Sequence, residues 1–130
     1  HSWNAVEIDG HFYPIELTWD VYDKKDNISS PIVDITNRIT VGFRYLQFGS
    51  KSPVKISGKI SALEDLIIQI REDDYQGKII SSFEMKKGDS TFESNLSSGI
   101  IGKHAVYFEF LSKNPDSKNI LAEFDYFTFD

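Results

Sequence analysis

The chain has 130 residues with 40% hydrophobic and 14% aromatic content, and 20 acidic against 14 basic residues leave it at a net charge of -6. That composition is too apolar for a disordered segment, and its charge would repel a phosphate backbone, so nucleic acid is not an expected partner. The absence of cysteine removes disulfides, thiol nucleophiles and Cys-type zinc sites together, and no apolar run is long enough to span a bilayer as a helix, so no membrane partner is expected.

In chain order, residues 5–9 and 15–22 read as strands, followed by the charged turn 23–27. Residues 39–48 are rich in β-branched and aromatic side chains and stop at Gly49. Strict alternation there puts Phe43, Tyr45 and Gln47 on one face and Arg44, Leu46 and Phe48 on the other. The residue types alone leave open which face is buried. Residues 54–60 alternate as a half-exposed strand. Residues 66–71 and 78–85 pair as a hairpin through the turn-rich stretch 72–77, closed near Gln76-Gly77. After a loop at 86–89, a short strand at 91–93 leads to the polar turn 97–99. The last strands are 105–110 and 122–129, with the loop 112–119 between them. No window of a dozen residues keeps a helical stripe, and there is no linker, repeat or low-complexity tract. The expected fold class is all-β, a two-sheet antiparallel β-sandwich, in one domain over residues 1–130.

Particular residues carry the reading further. The run Val41-Gly42-Phe43-Arg44-Tyr45-Leu46-Gln47-Phe48-Gly49 resembles a strand of family 6 carbohydrate-binding modules. It is most similar to the variant found as an accessory domain of family 43 glycoside hydrolases. Gly102-Lys103-His104-Ala105-Val106-Tyr107-Phe108-Glu109-Phe110, the ending Phe124-Asp125-Tyr126-Phe127-Thr128-Phe129 and the opening Val6-Glu7-Ile8-Asp9 resemble further strands of that family, in the same order. The resemblance implies a jelly-roll-like sandwich without chemistry of its own, excised from a larger secreted or cell-surface bacterial enzyme. Its partners would be a plant cell-wall polysaccharide or oligosaccharide, xylan or a related β-glycan, and a catalytic glycoside hydrolase domain in the same chain. It further implies a structural Ca²⁺ with Glu7, Asp9 and Asp125 at the side-chain ligand positions.

Elementary chemistry fits a calcium site there. Ca²⁺ takes six to eight oxygens, and Glu7 and Asp9, two apart in a strand, share a face. Asp125 completes the set if the first and last strands are neighbours. Sugar binding needs flat aromatic faces and hydrogen-bonding side chains. At the family's cleft this chain offers Asn37-Arg38-Ile39-Thr40 without a ring, retains Phe92 alone near residues 88–92, and carries Glu123 where Asn is usual. Trp19 and Tyr22 beside the charged turn, and Tyr75 in the turn 74–77, are the other candidate contacts. Three histidines without repeated spacing form no zinc motif, and His104 reads as a satisfied strand histidine. Neither a nucleophile elbow nor a Ser-His-Asp order suggests an enzyme. The alternative reading is a module that packs against a catalytic domain without binding sugar.

Overall fold

The computed structural model describes residues 2–8, 11–17 and 32–130, the first two stretches as backbone. All its regular structure is strand: β1 (Ser2–Ile8), β2 (His11–Leu17), β3 (Ile32–Ile35), β4 (Thr40–Gln47), β5 (Lys55–Ala62), β6 (Leu66–Glu72), β7 (Ile79–Met85), β8 (Phe92–Asn95), β9 (Lys103–Ser112) and β10 (Ala122–Phe129). They form two antiparallel sheets, one of six strands in the order β2-β1-β4-β9-β6-β7 and one of four in the order β3-β10-β5-β8. The expected β-sandwich is the observed fold.

Alternation explains most of the packing. In β6, Leu66, Ile68 and Ile70 are buried while Ile67, Gln69 and Arg71 are partly exposed, the pattern of a sheet with one face against a core. The core is a seam of phenylalanines. Phe43 of β4 and Phe108 of β9 meet Phe124 and Phe127 of β10 with ring centroids 4.7–5.6 Å apart, three of the four contacts edge-to-face. Such pairs contribute about 0.5–1.5 kcal/mol each beyond the area they bury.

Two bulges set that seam. In β4, Phe43 pairs with Val106 and Leu46 with His104, so Arg44 and Tyr45 together oppose Ala105. Phe43 and Leu46, three apart, are therefore both buried, whereas Tyr45 and Gln47 are exposed. The expected face of Phe43, Tyr45 and Gln47 does not survive intact. In β10, Phe124 pairs with Ile60 and Tyr126 with Lys59, leaving Asp125 as the extra residue. Phe124 and Phe127 are in consequence both buried.

Two strands depart from the sequence reading. β2 starts at His11 rather than residue 15, with Pro14 opposite Ala5. Proline lacks an N–H and breaks the appearance of a strand, but β2 is the edge of its sheet, where no ladder partner is lost. Residues 18–22 of the expected strand lie outside the described residues. β3 was not expected at all: it is four residues long, and Asp34 within it has a positive φ of 61°. Ile35 anchors it in the core, and its carbonyl accepts from Leu121 N–H at 2.7 Å.

Gly58 of β5 is required by close approach. It pairs with Phe127 on one side and Phe92 on the other, and a Cβ there would fall on the Tyr126 carbonyl beside the β10 bulge. Backbone cannot yield as a flexible side chain would. We expect Gly58→Ala to reduce the free energy of unfolding by about 2–3 kcal/mol, read from urea unfolding. A loss below a few tenths would show that β10 shifts freely there.

Candidate functional site

The loops divide between two ends that differ in the aromatic side chains they expose. The first end lies where β5 finishes and β6 begins. Asn37 joins its loops: Oδ1 accepts from Ser112 N–H at 2.8 Å, and Nδ2 donates to the Pro115 carbonyl at 3.1 Å. Asp65 accepts from Lys87 N–H and Asp89 from Lys86 N–H, both at 2.9 Å. Between them is a shallow pocket of about 410 Å³ lined by Glu64, Asp65, Lys87, Ser112, Lys113 and Asn114. No aromatic ring lines it.

Two sequence candidates fall on this side of the molecule. Glu123 pairs with Ser61 near the end of β5 and is half-buried. Phe92 corrects the expectation of a sugar contact. It is only 7% exposed and stacks face to face on Phe83, with centroids 5.0 Å apart and planes 7° apart. With one face on Phe83 and an edge against Gly58, its ring belongs to the interior.

Tyr75 is at the other end. β6 runs from Leu66, opposite Ser112, to Glu72, opposite Val106, so roughly 20 Å of strand separates the ends at about 3.3 Å per residue. The fold therefore does not gather Tyr75 with Glu123. Tyr75 is 37% exposed in a turn held by Gly77 N–H to the Asp74 carbonyl at 2.8 Å and by Gln76 N–H to Asp74 Oδ1 at 2.8 Å. Arg71 spans the turn's base, donating to the Gly77 carbonyl at 2.9 Å and lying 3.3 Å from Glu109. Two strands away, the β4 bulge turns Tyr45 outward to 50% exposure, with Lys103 Nζ 5.4 Å from its ring centroid. Tyr45 and Tyr75 are the exposed aromatic side chains among the described residues. Val54 and Ile101, 70% and 55% exposed, lie at this end as well. So do two adjoining hollows of about 250 and 320 Å³ that share Ser52 and Pro53, the first floored by Phe48 and Phe129.

Trp19, Tyr22 and Asp9 lie outside the described residues. The backbone of Glu7 pairs with Thr40 and Phe12 in the larger sheet, whereas Asp125 sits at the bulge of β10 in the smaller one. The first and last strands are thus not sheet neighbours, and an ion held by both would bridge the two sheets.

A charged cluster that the sequence reading did not assemble joins the Tyr75 turn to β9. His104 Nδ1 lies 2.9 Å from each oxygen of Asp73 and 3.5 Å from Glu72 Oε1. Asp73 also ties its backbone into β9, its N–H donating to the Ala105 carbonyl at 2.9 Å. The Asp73 hydrogen bond, with the charges of Asp73 and Glu72 and a bond to the Ile101 carbonyl, raises the His104 pKa above 6.5 against the opposing effect of burial. The only sequence signal for this cluster was the acidic run at 72–74 within a turn; its partner lies 31 residues away.

No family model and no curated protein matches the chain. Solved structures do. A family 43 glycoside hydrolase, an arabinoxylan arabinofuranohydrolase from Bacillus subtilis in complex with cellotetraose, is similar at a TM-score of 0.67 with 20% identity over 76% of this chain; the chain spans 20% of that protein's length. A family 6 carbohydrate-binding module from Clostridium cellulolyticum, in complex with xylose, is similar at 0.60 and 21% identity, over 82% of this chain and 93% of that one. A family 36 module in complex with calcium and xylotriose is similar at 0.51 and 15%, over 75% and 78%. At these identities the likeness establishes the fold, that of the family 6 carbohydrate-binding sandwich.

The His104 cluster makes stability depend on pH. Its proton is held more tightly in the folded chain than the ordinary value of 6.5, so the stabilisation is complete below about pH 6.5 and fades as pH rises through the higher folded value. In chelator-treated protein, the melting-temperature advantage of wild type over His104→Gln should therefore be largest near pH 5.5 and shrink towards pH 9. An advantage that grows with pH would mean that neutral His104 is the favoured form.

Proposed function

We propose that this chain is a non-catalytic carbohydrate-binding module that contacts a β-linked plant polysaccharide, xylan or a related glycan, through the end bearing Tyr75 and Tyr45. The observation that carries this reading is the pair of exposed tyrosines at one end of a family 6-type sandwich, the only exposed aromatic side chains among the described residues. Tyrosine faces stack on the apolar C–H faces of a sugar, while Lys103 and the backbone and hydroxyl groups around Ser52 supply hydrogen bonds. Such an interface is small and wet, so single-site affinity is weak and the module serves by holding an attached glycoside hydrolase to its substrate. The module is then one domain of a larger secreted or cell-surface bacterial enzyme. The family 43 fold likeness, spanning a fifth of a longer chain, supports that arrangement.

A second reading rests on Val54, Ile101 and Tyr45, apolar and at least half exposed at that same end. Covered by a catalytic domain, they would make this a packing module without sugar affinity. Affinity electrophoresis through gels containing soluble xylans, β-glucans, mannans and pectins separates the two. Retardation by one polysaccharide, reduced about tenfold in affinity by Tyr75→Ala and by Tyr45→Ala, supports sugar binding. No retardation in any gel rejects it in favour of packing, and retardation unchanged in both variants moves the contact elsewhere.

We further propose structural Ca²⁺ at Glu7, Asp9 and Asp125. The donor set is all oxygen, as Ca²⁺ requires. Asp125, the bulged residue of β10, has no side-chain hydrogen bond or ion pair with any described residue. A cation there would link the two sheets and stabilise the sandwich without taking part in chemistry. Calcium chelation should lower the melting temperature of wild type, added Ca²⁺ should restore it, and Asp125→Asn should abolish the response. A chelator-independent melt would remove the ion from the fold.

A further inference from the structure

We propose that Glu72, Asp73 and His104 form a binding site for a divalent transition-metal ion of the Zn²⁺ type, separate from the oxygen-only calcium position. The site joins the root of the Tyr75 turn to the first residues of β9.

The backbone explains the convergence. Consecutive residues of an extended strand point to opposite faces, so Glu72 and Asp73 would ordinarily diverge. Asp73 instead takes a left-handed conformation, with φ 65°, as β6 ends. Both carboxylates are thereby delivered to the same imidazole nitrogen. One ligating atom from each residue lies within 4.8 Å of the others, and the nitrogen-to-oxygen distances are 2.9, 2.9 and 3.5 Å. Bonds of about 2.0–2.2 Å around a tetrahedral Zn²⁺ set neighbouring donor atoms roughly 3.3 Å apart. The nitrogen-to-oxygen separations straddle that spacing, and the third separation lies within 4.8 Å, so the donors can close on an ion by side-chain adjustment.

The donors also call for a cation. His104 Nδ1 faces both oxygens of Asp73 at equal distance, a position from which one N–H can share its proton between them and from which a metal ion could bond instead. With the proton on the other ring nitrogen, neutral His104 presents an Nδ1 lone pair to the carboxylates. That lone pair and two carboxylates are mutually repulsive without a positive charge among them. Neighbouring cations are engaged elsewhere: Arg71 lies against Glu109 and the Gly77 carbonyl, and Lys103 over Tyr45. Among the described residues only His104 pairs with either acid. A proton on Nδ1 satisfies the arrangement, and a metal ion satisfies it with three bonds.

The donor set selects the ion. One imidazole nitrogen with carboxylate oxygens suits Zn²⁺, Ni²⁺ or Co²⁺, whereas Ca²⁺ and Mg²⁺ favour oxygen throughout. Glu72 and His104 are partly buried and Asp73 is exposed, leaving an open side for water ligands and for entry of the ion.

Calorimetric titration of the intact chain with Zn²⁺, and separately with Ca²⁺, tests this, alongside the ring ¹⁵N resonances of His104. We expect Zn²⁺ to shift those resonances and to bind with an affinity that falls at least tenfold in both His104→Gln and Asp73→Asn. Asp125→Asn should leave Zn²⁺ binding unchanged, and Ca²⁺ should leave the His104 ring unshifted. Because these variants also lose an ion pair, the readout is the Zn²⁺-induced change and not the starting melting temperature. Equal Zn²⁺ affinity in wild type and His104→Gln would assign binding to other histidines and overturn the site. Millimolar Zn²⁺ that leaves the His104 ring resonances unmoved would overturn it equally.

Discussion

A seam of phenylalanine rings between the sheets is the constraint on which the rest of this molecule depends. Phe43 and Phe108 from the larger sheet interlock edge-to-face or tilted with Phe124 and Phe127 from the smaller one, and Phe110 closes one side against Phe124. Flat, bulky rings cannot slide past each other without losing contact, so the seam fixes the relative position of the sheets. Both bulges follow from it. A regular strand turns every second residue inward, yet the seam takes Phe124 with Phe127 and Phe43 with Leu46, three apart in each case. One surplus residue per strand reconciles the two spacings, and what it displaces becomes available at the surface. Tyr45 is turned outward in β4, and Asp125 is left over in β10.

The ends of the sandwich inherit their chemistry from this arrangement. At the 62–65 end, loops are tied together by Asn37, Asp65 and Asp89, whose side chains close backbone hydrogen bonds, and the pocket between them is charged and polar. A sugar there would find hydrogen bonds but no ring to stack on. At the other end, two tyrosines, a valine and an isoleucine are exposed beside lysines. Exposed apolar side chains occur at both ends, with Val33, Leu63 and Ile120 near the first; the two exposed tyrosines are what distinguish this surface among the described residues.

Much of the fold was legible because alternation and turn chemistry are local. Strands β5, β6, β7, β9 and β10, and the hairpin between β6 and β7, follow from residue types within a few positions of one another. The edge strand β2 was obscured by Pro14, tolerated because no further strand pairs with it among the described residues, and β3 is too short and too bent at Asp34 to show a period. The bulge in β4 was invisible for a different reason. Nothing in Phe43-Arg44-Tyr45-Leu46 announces it, since it exists to satisfy rings on β9 and β10. The site was less legible still. Tyr75 was recognisable as a turn aromatic, but the burial of Phe92 depends on Phe83 and Gly58 from other strands. His104 was readable as a strand histidine with a partner, and the partner itself was not, because a contact between Asp73 and His104 is set by strand order.

The His104 cluster shows why that order matters for function. A turn that presents an aromatic side chain to a ligand loses binding energy to the ordering of its own backbone, unless the fold has already fixed it. The 73–77 turn is fixed twice at its base, by Arg71 reaching the Gly77 carbonyl and by Asp73 pairing with β9 through both its backbone and its carboxylate. The second anchor is ionic and sits at the surface, so its strength varies with what occupies the space between His104 and the two acids. The β6–β9 pairing brings those groups together, and the left-handed Asp73 aims them. The rigidity of the Tyr75 turn is therefore coupled to a charge held outside the core, whereas Tyr45 is turned outward by the bulge that the seam imposes on β4.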